Sequence, residues 1–340
     1  FKENSLGGKY ISSIFLVNSN YCSITNNVAY GSWEKLIYCA SSHTLIEGNS
    51  YHAPSPQNYT DAYRIMGDFN TLTGNYSIGA NGGCQVLNGG FNIISNNTFL
   101  NCRQLGVNIN DNENIGAGSL NGNEVKNNKI TVLNGIASGG IRVVCGYKSA
   151  SYINIYGNSV MDVGLNTSLG AIVLSATTPY SIENSAVSDN NIINSYNGIN
   201  LDRTVYSKIS NNRLKNIVAY PFILNGSGYN TIINNMCREV GYKVINGQSS
   251  TINFRGNTFT DVPLSGSVTL ASGTYITTVA HGGVAPHARI TLQNGNAPAG
   301  ILQAITGLFT TNIGGGNFTI TTSNYGNPTG NEILIYDIIQ

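Results

Sequence analysis

The segment from residue 98 to residue 203 is rich in carboxylate side chains that could act in pairs. It holds seven of the sixteen Asp and Glu residues of the chain. Two of the seven, Glu124 and Asp189, flank a repeated corner and are interpreted as solvated turn residues. Glycoside hydrolysis needs one carboxyl group as an acid and a second as a base or nucleophile, about 5 to 9.5 Å apart. The candidate catalytic residues are therefore the other five: Asp111, Glu113, Asp162, Glu183 and Asp202.

Each of these acids also has a purely structural interpretation. Asp111 and Glu113 fit a polar loop, and Glu183 fits an exposed loop charge. Asp162 fits a turn, because other repeats carry asparagine at its position. Those asparagines are Asn101, Asn194 and Asn216. Asp202 is the strongest candidate because the equivalent positions of other repeats are uncharged, although a solvated strand end is the alternative.

Nearby cationic, amide and aromatic side chains could serve chemistry of this kind. In β-elimination a base removes the proton beside a uronate carboxylate whose charge a cation neutralises, and Arg142 or Arg203 could supply that charge. Asn200 could bond sugar hydroxyls, and Tyr147 and Tyr180 could stack on sugar rings. Hydrolysis and elimination both stay open. No metal or cofactor is assigned, because the His and Cys residues lack the spacing of zinc ligands.

A repeat positions these residues. Ten times along the chain an asparagine follows an apolar residue by three positions. These asparagines are Asn27, Asn49, Asn75, Asn97, Asn128, Asn158, Asn190, Asn212, Asn235 and Asn257. Their separations of 22, 26, 22, 31, 30, 32, 22, 23 and 22 residues indicate a unit of 22 residues with insertions in four coils. A repeat of this length is typical of a solenoid coil.

The residues around each asparagine predict strands, because Ile, Val, Phe, Thr and Tyr alternate with polar residues. Coils stacked about 4.8 Å apart would bury their apolar columns in one continuous core. Asparagine suits the corner between strands because it tolerates left-handed backbone angles and its amide can bond the next coil. The sequence therefore predicts an all-β parallel β-helix of about ten coils with an internal asparagine ladder.

Alignment of the coils on their asparagines places a recurring strand in register. Its members are residues 107–110, 141–144, 172–175, 199–202 and 222–225. Alternation makes the second and fourth residues of each strand face outward. Arg142, Asn200 and Asp202 are thus predicted to share one exposed sheet, with acids from neighbouring coils close enough to pair.

Composition excludes several partners and indicates a reduced protein. Seventeen Lys and Arg residues nearly balance sixteen acids, giving a formal net charge of +1, so neither nucleic acid nor an anionic membrane is an expected partner. The apolar runs are too short to cross a bilayer. Six cysteines without C-x-x-C spacing predict buried free thiols and synthesis in a reducing cytoplasm. The start, Phe1-Lys2-Glu3-Asn4, indicates a fragment.

The repeat stops near residue 264. Short alternating strands follow, separated by Gly, Asn and Pro turns, for example residues 267–270, 288–292 and 317–321. This pattern predicts a small β-sandwich. We expect a β-helix domain over residues 1–264 that carries the candidate site, and a second domain over residues 265–340 that caps the open end of the β-helix.

The segment from 275 to 292, Tyr-Ile-Thr-Thr-Val-Ala-His-Gly-Gly-Val-Ala-Pro-His-Ala-Arg-Ile-Thr-Leu, resembles the opening of β-sandwich domains that close bacteriophage tail appendages. With the preceding repeat, the chain resembles a phage tailspike of the pectate-lyase-like superfamily. Gly283 replaces the leucine usual in that segment, and no catalytic signature of the family is present to transfer.

The resemblance implies a right-handed β-helix in a homotrimer that binds a bacterial surface polysaccharide and depolymerises it. It also implies a location in the virion tail, with contacts to other tail proteins through a missing N-terminal part. Outward apolar residues on regular coils suggest packing against another chain. These residues are Val173, Ile193, Ile223 and Ile245. The alternatives are a non-catalytic receptor-binding adhesin and, less favoured without a signal peptide, a cellular polysaccharide lyase.

Overall fold

A computed structural model gives the fold, and its described elements are all β-strands. The structure describes residues 5–7, 12–30, 35–53, 61–111, 118–133, 139–163, 170–240, 245–247, 253–260, 265–269, 276–280, 289–294, 308–314, 317–322 and 333–339. Within these residues no helix is long and apolar enough to cross a membrane.

Three parallel sheets run along the coils, and each complete coil adds one strand to each sheet. Sheet 1 consists of Ser12–Val17, Lys35–Ala40, Asp61–Ile65, Gly82–Leu87, Leu105–Asn110, Gly139–Cys145, Gly170–Ala176, Asn197–Asp202, Phe222–Asn225 and Ile245–Gly247. Sheet 2 consists of Ser23–Thr25, Leu45–Glu47, Thr71–Thr73, Ile93–Ser95, Glu124–Lys126, Asn154–Tyr156, Ala186–Ser188, Lys208–Ser210, Thr231–Ile233 and Asn253–Arg255. Sheet 3 consists of Ser5–Gly7, Val28–Tyr30, Ser50–His52, Tyr76–Ile78, Thr98–Cys102, Lys129–Val132, Ser159–Met161, Asn191–Ser195, Arg213–Ile217, Met236–Val240 and Thr258–Thr260.

A short fourth sheet lies between sheets 1 and 2 in three successive coils. It consists of Ala150–Ser151, Ile182–Glu183 and Thr204–Val205. Every strand of these four sheets pairs in parallel with the equivalent strand of the next coil, as when Ile141 pairs with Ile172. The predicted parallel β-helix is confirmed.

The predicted asparagine ladder is present at all ten corners. Asn49 is representative: its backbone N–H and its Nδ2 both donate to Asn75 Oδ1, at 2.9 and 3.0 Å. The same Nδ2 donates backward to the Ile24 carbonyl at 2.9 Å. Equivalent bonds connect each asparagine to the next, from Asn27 to Asn257. These buried amides are therefore satisfied by one another.

A second polar ladder, which the sequence analysis missed, precedes sheet 2. Its members are Thr44, Asn70, Asn92, Asn123, Ser185, Ser207 and Asn230. The Asn70 backbone N–H donates to Asn92 Oδ1 at 2.8 Å, and that of Ser185 donates to Ser207 Oγ at 3.0 Å. Ile153 interrupts the column. Since Asn, Ser and Thr alternate there, this ladder has no single-letter signature.

Close packing of sheet 3 against sheet 1 explains a column of glycines in sheet 1. Phe99, Ile130 and Val160, each two residues after a ladder asparagine, are fully buried. A Cβ on Gly106 would collide with the Ile130 side chain, and a Cβ on Gly140 would collide with Val160. The absent side chains thus leave room for the large residues opposite.

Two outward apolar residues that were predicted to pack on another chain are buried within this one. Val173 is 2% exposed and Ile223 is 7% exposed, although both lie at outward positions of sheet 1. The prediction that these two residues are exposed is therefore wrong, and they do not support a trimer. Ile193 is partly buried, and the side chain of Ile245 lies outside the described residues.

The six cysteines are free, and all except the partly exposed Cys22 are buried, as predicted. Burial raises the pKa of the Cys102, Cys145 and Cys237 thiols to about 12. These thiols are protonated at neutral pH and act as small apolar residues.

After Thr260 the strand pairing changes from parallel to antiparallel. Ser265–Thr269 and Arg289–Asn294 flank Ile333–Ile339 in one sheet, and Ile276–Ala280 and Leu308–Gly314 flank Asn317–Thr322 in another. A β-sandwich consists of two such sheets, so these strands agree with the predicted C-terminal β-sandwich. The division into domains at residue 264 stays a prediction.

Replacement of Asn128 by alanine should lower the free energy of unfolding by about 3 kcal/mol. Asn128 accepts two bonds from Asn97 and donates to Asn158 and the Ile94 carbonyl, so the truncation strands buried polar groups. Urea unfolding followed by circular dichroism measures the loss. Asn154→Ala, on the outer face of sheet 2, is the matched control and should change stability little. Equal losses in the two variants would contradict an energetic role for the ladder.

Candidate functional site

One outward column of sheet 1 carries a row of polar side chains. In the strand register, Arg64 lies beside Gln85 of the next coil, Gln85 beside Asn108, and Asn108 beside Arg142. The column then continues through Val173 to Asn200. We call Arg64, Gln85, Asn108, Arg142 and Asn200 the polar strip. The register predicted for Arg142 and Asn200 is confirmed, but the predicted exposure is wrong for Asn200, which is buried.

The polar strip is unusual because each of its side chains has a buried polar atom without a hydrogen-bond partner. In the described part of the chain eight buried side-chain atoms lack a partner, and five of them belong to this strip. They are Arg64 Nε, Gln85 Oε1, Asn108 Oδ1, Arg142 Nε and Asn200 Oδ1. Each such group costs about 1–3 kcal/mol, and native proteins contain few. Five in one row make the polar strip the candidate binding surface.

An acid that the sequence analysis missed lies at one end of the polar strip. Asp61 Oδ2 accepts a hydrogen bond from Arg64 Nη2 at 3.1 Å. Burial raises the pKa of the Asp61 carboxyl, and the positive charges of Arg64 and Lys35 oppose that rise. Asp61 was missed because it precedes the acid-rich segment. The feature that could have identified Asp61 as a site residue is its position on the same strand as Arg64.

Asp202 lies at the other end of the polar strip, two residues after Asn200 on the same outward face. Its Oδ2 accepts a hydrogen bond from Ser175 Oγ at 3.2 Å, one coil earlier. Arg203 follows in a left-handed turn with φ 52° and is exposed. The predicted outward position of Asp202 agrees with the register of sheet 1.

Glu183 lies across that turn from Asp202, on the preceding coil. It belongs to the short fourth sheet and pairs with Val205, which is three residues after Asp202. Its Oε1 accepts a hydrogen bond from Ser181 Oγ at 2.7 Å. The fold therefore brings Glu183 and Asp202 to the same corner on adjacent coils, with Arg203 beside them.

Asp111 has a different place from the one predicted. It is buried, and its carboxylate accepts hydrogen bonds from the backbone N–H groups of Gly146, Tyr147 (2.9 Å) and Lys148 (3.0 Å). A carboxylate with this many backbone donors holds a turn and is not available to a substrate. Asp111 thus positions the turn that carries Tyr147, and the prediction of Asp111 as a catalytic acid is corrected. Glu113 lies outside the described residues.

Asp162 occupies a turn, as its structural interpretation states. Its φ is 60°, and its Oδ1 accepts a hydrogen bond from Asn194 Nδ2 at 2.9 Å. Asn194 accepts in turn from Asn216 at 2.9 Å, so the three form an exposed polar row. Asp162 directly follows its sheet 3 strand, and Asn194 and Asn216 lie near the ends of theirs, so the row precedes sheet 1, whereas Asp202 ends a sheet 1 strand. The structure therefore separates Asp162 from the other candidate acids.

The two predicted aromatic residues, Tyr147 and Tyr180, differ in their exposure to solvent. Tyr147 is 42% exposed, whereas Tyr180 is partly buried against the core. Tyr152, which was not predicted, is 61% exposed in a left-handed turn and its backbone N–H donates to the Glu183 carbonyl. The equivalent positions on the adjacent coils are occupied by Gly122 and Asn184, which are not aromatic. Rings from these positions therefore do not cover the faces of the Tyr152 ring.

Other exposed aromatic side chains in equivalent turns stack on one another. Tyr21, His43, Phe69 and Phe91 form a continuous row with ring centroids 4.7 to 5.1 Å apart. Tyr206 and Tyr229 form another stacked pair at 5.2 Å. Since the faces of these rings are largely taken by their neighbours, Tyr152 is the better candidate for stacking on a sugar.

The right-handed beta helix region family matches residues 12–184, just over half of the 340 residues. The chain belongs to this family, and the predicted right-handed coil is confirmed. No curated protein matches the sequence.

Two similar solved structures are of the tailspike protein of E. coli bacteriophage HK620. One, a mutant, has a TM-score of 0.53 and 10% identity and covers 100% of this chain and 69% of that chain. The other, in complex with a pentasaccharide, has a TM-score of 0.53 and 12% identity and covers 99% of this chain and 68% of that chain. At these identities the likeness is one of fold, and at that level the resemblance to tailspikes is confirmed.

Replacement of Asp111 by alanine should speed amide hydrogen exchange at Gly146, Tyr147 and Lys148, because their N–H groups lose a common acceptor. Exchange measured by mass spectrometry should rise at least about 10-fold, the factor that about 1.4 kcal/mol confers. Glu124→Ala removes a partly exposed ion pair on sheet 2 and should leave these amides unchanged. Unchanged exchange in the Asp111 variant would show that the turn holds itself.

Proposed function

We propose that this chain is part of a phage tailspike that binds and depolymerises a bacterial surface polysaccharide along the outer face of sheet 1. The observation that carries the proposal is the row of unpaired buried polar atoms in the polar strip. Sugar hydroxyls donate and accept hydrogen bonds and would satisfy such a row. The fold likeness to the HK620 tailspike, which has been solved with a pentasaccharide, supports the same class of ligand.

The corner formed by Asp202 and Glu183 is the proposed catalytic site. Along the axis the two acids are one coil step, about 4.8 Å, apart, and they are also displaced across the turn at Arg203. Their side chains must therefore reach over this turn to attain the carboxyl separation of about 5 to 9.5 Å that hydrolysis needs. In hydrolysis one carboxyl group protonates the glycosidic oxygen as the bond to the sugar carbon breaks. The other carboxylate either activates water or attacks that carbon. In elimination one carboxylate would remove a proton beside a uronate group whose charge Arg203 neutralises.

A binding-only adhesin is the second candidate, and the distribution of acids on sheet 1 favours it. In the described strands of sheet 1 the carboxylates are Asp61 and Asp202. They are five coil steps, about 24 Å, apart, far beyond the 9.5 Å limit of a hydrolytic pair. Catalysis therefore depends on Glu183 reaching the strip from beyond the turn, and without that reach the surface only binds.

The wider biological setting of the proposal follows the tailspike resemblance. The chain would act in the virion tail at the bacterial cell surface, as a homotrimer attached to other tail proteins. Residues 265–340 would cap or trimerise the β-helix of residues 1–264. A cellular polysaccharide lyase is the remaining alternative, and a product with unsaturated uronate ends from a chain encoded outside any phage would favour it.

Asp202→Asn and Glu183→Gln should each lower depolymerisation at least about 100-fold, because each removes a proton-transfer group. Release of reducing ends and absorbance of unsaturated uronates, measured on capsular polysaccharide from a panel of bacterial strains, distinguish hydrolysis from elimination. Oligosaccharide binding should persist, since both substitutions are nearly isosteric.

Asp189→Asn is the matched control. Asp189 has φ 57° in a left-handed turn that asparagine also tolerates, and it should retain full activity. Full activity of both test variants would remove these residues from the mechanism. Binding without any bond cleavage by the unsubstituted protein would establish the adhesin instead.

A further inference from the structure

Arg142 lies in the middle of the polar strip without an acidic partner. Its side chain is partly buried, and it makes no hydrogen bond or ion pair with the described residues. Its neighbours in the column are the neutral residues Asn108 and Val173, and Val173 is almost fully buried. Burial lowers the pKa of Arg142, and no carboxylate offsets the shift. Within the described residues, a partly buried positive charge thus has no carboxylate beside it.

Arg64 shows what a compensated arginine looks like in the same column. It lies three coil steps away, about 14 Å, and its Nη2 is paired with Asp61 Oδ2 at 3.1 Å. The two guanidinium groups share a column and partial burial, but among the residues that the structure describes only Arg64 has a paired carboxylate. The two arginines therefore differ in one respect, which is the neighbouring carboxylate that Arg64 has and that no described residue supplies to Arg142.

We propose that Arg142 binds the carboxylate of an acidic sugar, so that the polysaccharide recognised by the polar strip contains uronate units. A guanidinium presents Nε and Nη donors in a planar fork that matches a carboxylate. One positive charge among neutral amides is balanced by one carboxylate, whereas a phosphate monoester carries a charge of about −1.5 to −2. The unpaired amide oxygens of Asn108 and Asn200 then accept hydrogen bonds from hydroxyls of the same or adjoining sugars. The inference rests on the proposed glycan-binding function and specifies its substrate.

The stability of arginine variants tests whether Arg142 serves the fold or a ligand. Arg142→Met should raise the midpoint of thermal unfolding, because it replaces an unpaired, partly buried cation by an apolar side chain of similar length. Arg64→Met should lower the midpoint, because it leaves Asp61 without its partner. A lower midpoint for Arg142→Met would show that Arg142 stabilises the fold and would overturn the inference.

Binding of matched charged and neutral sugars tests the ligand. Glucuronate, galacturonate and mannuronate at millimolar concentration are compared with their methyl esters, which keep the ring and lose the charge. At least one acid should raise the unfolding midpoint of the unsubstituted protein, its ester should not, and Arg142→Met should abolish the response. Stabilisation by none of the three acids, an equal effect of the esters, or a larger effect of inorganic phosphate would overturn the assignment.

Failure of this inference and failure of the proposed function give different results. If the protein binds or cleaves capsular polysaccharide equally well after chemical reduction of its carboxyl groups, the polar strip binds glycan but Arg142 does not read a uronate. If the protein binds no native or reduced polysaccharide from the strain panel, both are wrong.

Discussion

The hydrogen bonds between corner asparagines fix how each coil lies on the one before it. At every step the next asparagine uses one amide oxygen to accept both the backbone N–H and the Nδ2 of its predecessor. A slip of one residue would bury unpaired amides and turn every outward side chain inward. The ladder thus sets the register of sheet 1, and that register alone brings residues as distant in sequence as Arg64 and Asn200 into one column.

A core satisfied in this way can tolerate an unsatisfied surface. The asparagine amides, the second ladder before sheet 2 and the packing of Ile130 against Gly106 leave the interior with few defects. The polar strip shows the opposite behaviour, because five of its side-chain atoms are buried and unpaired. Residues that cost stability and do not serve the fold are typical of binding surfaces. The division between a satisfied interior and an unsatisfied outer row is the main physical argument for placing function on sheet 1.

The fold was predictable from sequence because its determinants repeat. Each asparagine recurs with an apolar residue three positions earlier, so periodicity alone revealed the ladder and the outward places of Arg142, Asn200 and Asp202. Contacts made once were not predictable. The bonds from Asp111 to the backbone at 146–148 span 35 to 37 residues and have no periodic signal. Alternation likewise assigned Val173 correctly to the outer face but could not show that this outward position is covered.

The position of the acids relative to the polar strip constrains how a glycan could be cleaved. The strip runs along the coil axis for five steps, about 24 Å, from Arg64 to Asn200. Asp202 and Glu183 lie at one end of it, on either side of the turn at Arg203. A chain bound along the strip would therefore present to these acids a bond near one end of the bound segment. The remote sugars would supply binding free energy that orients this bond, which is how an extended site contributes to catalysis at a single linkage. Since Arg142 lies two coil steps before Asn200, a uronate held there would fix which linkage of a repeating unit reaches the acids.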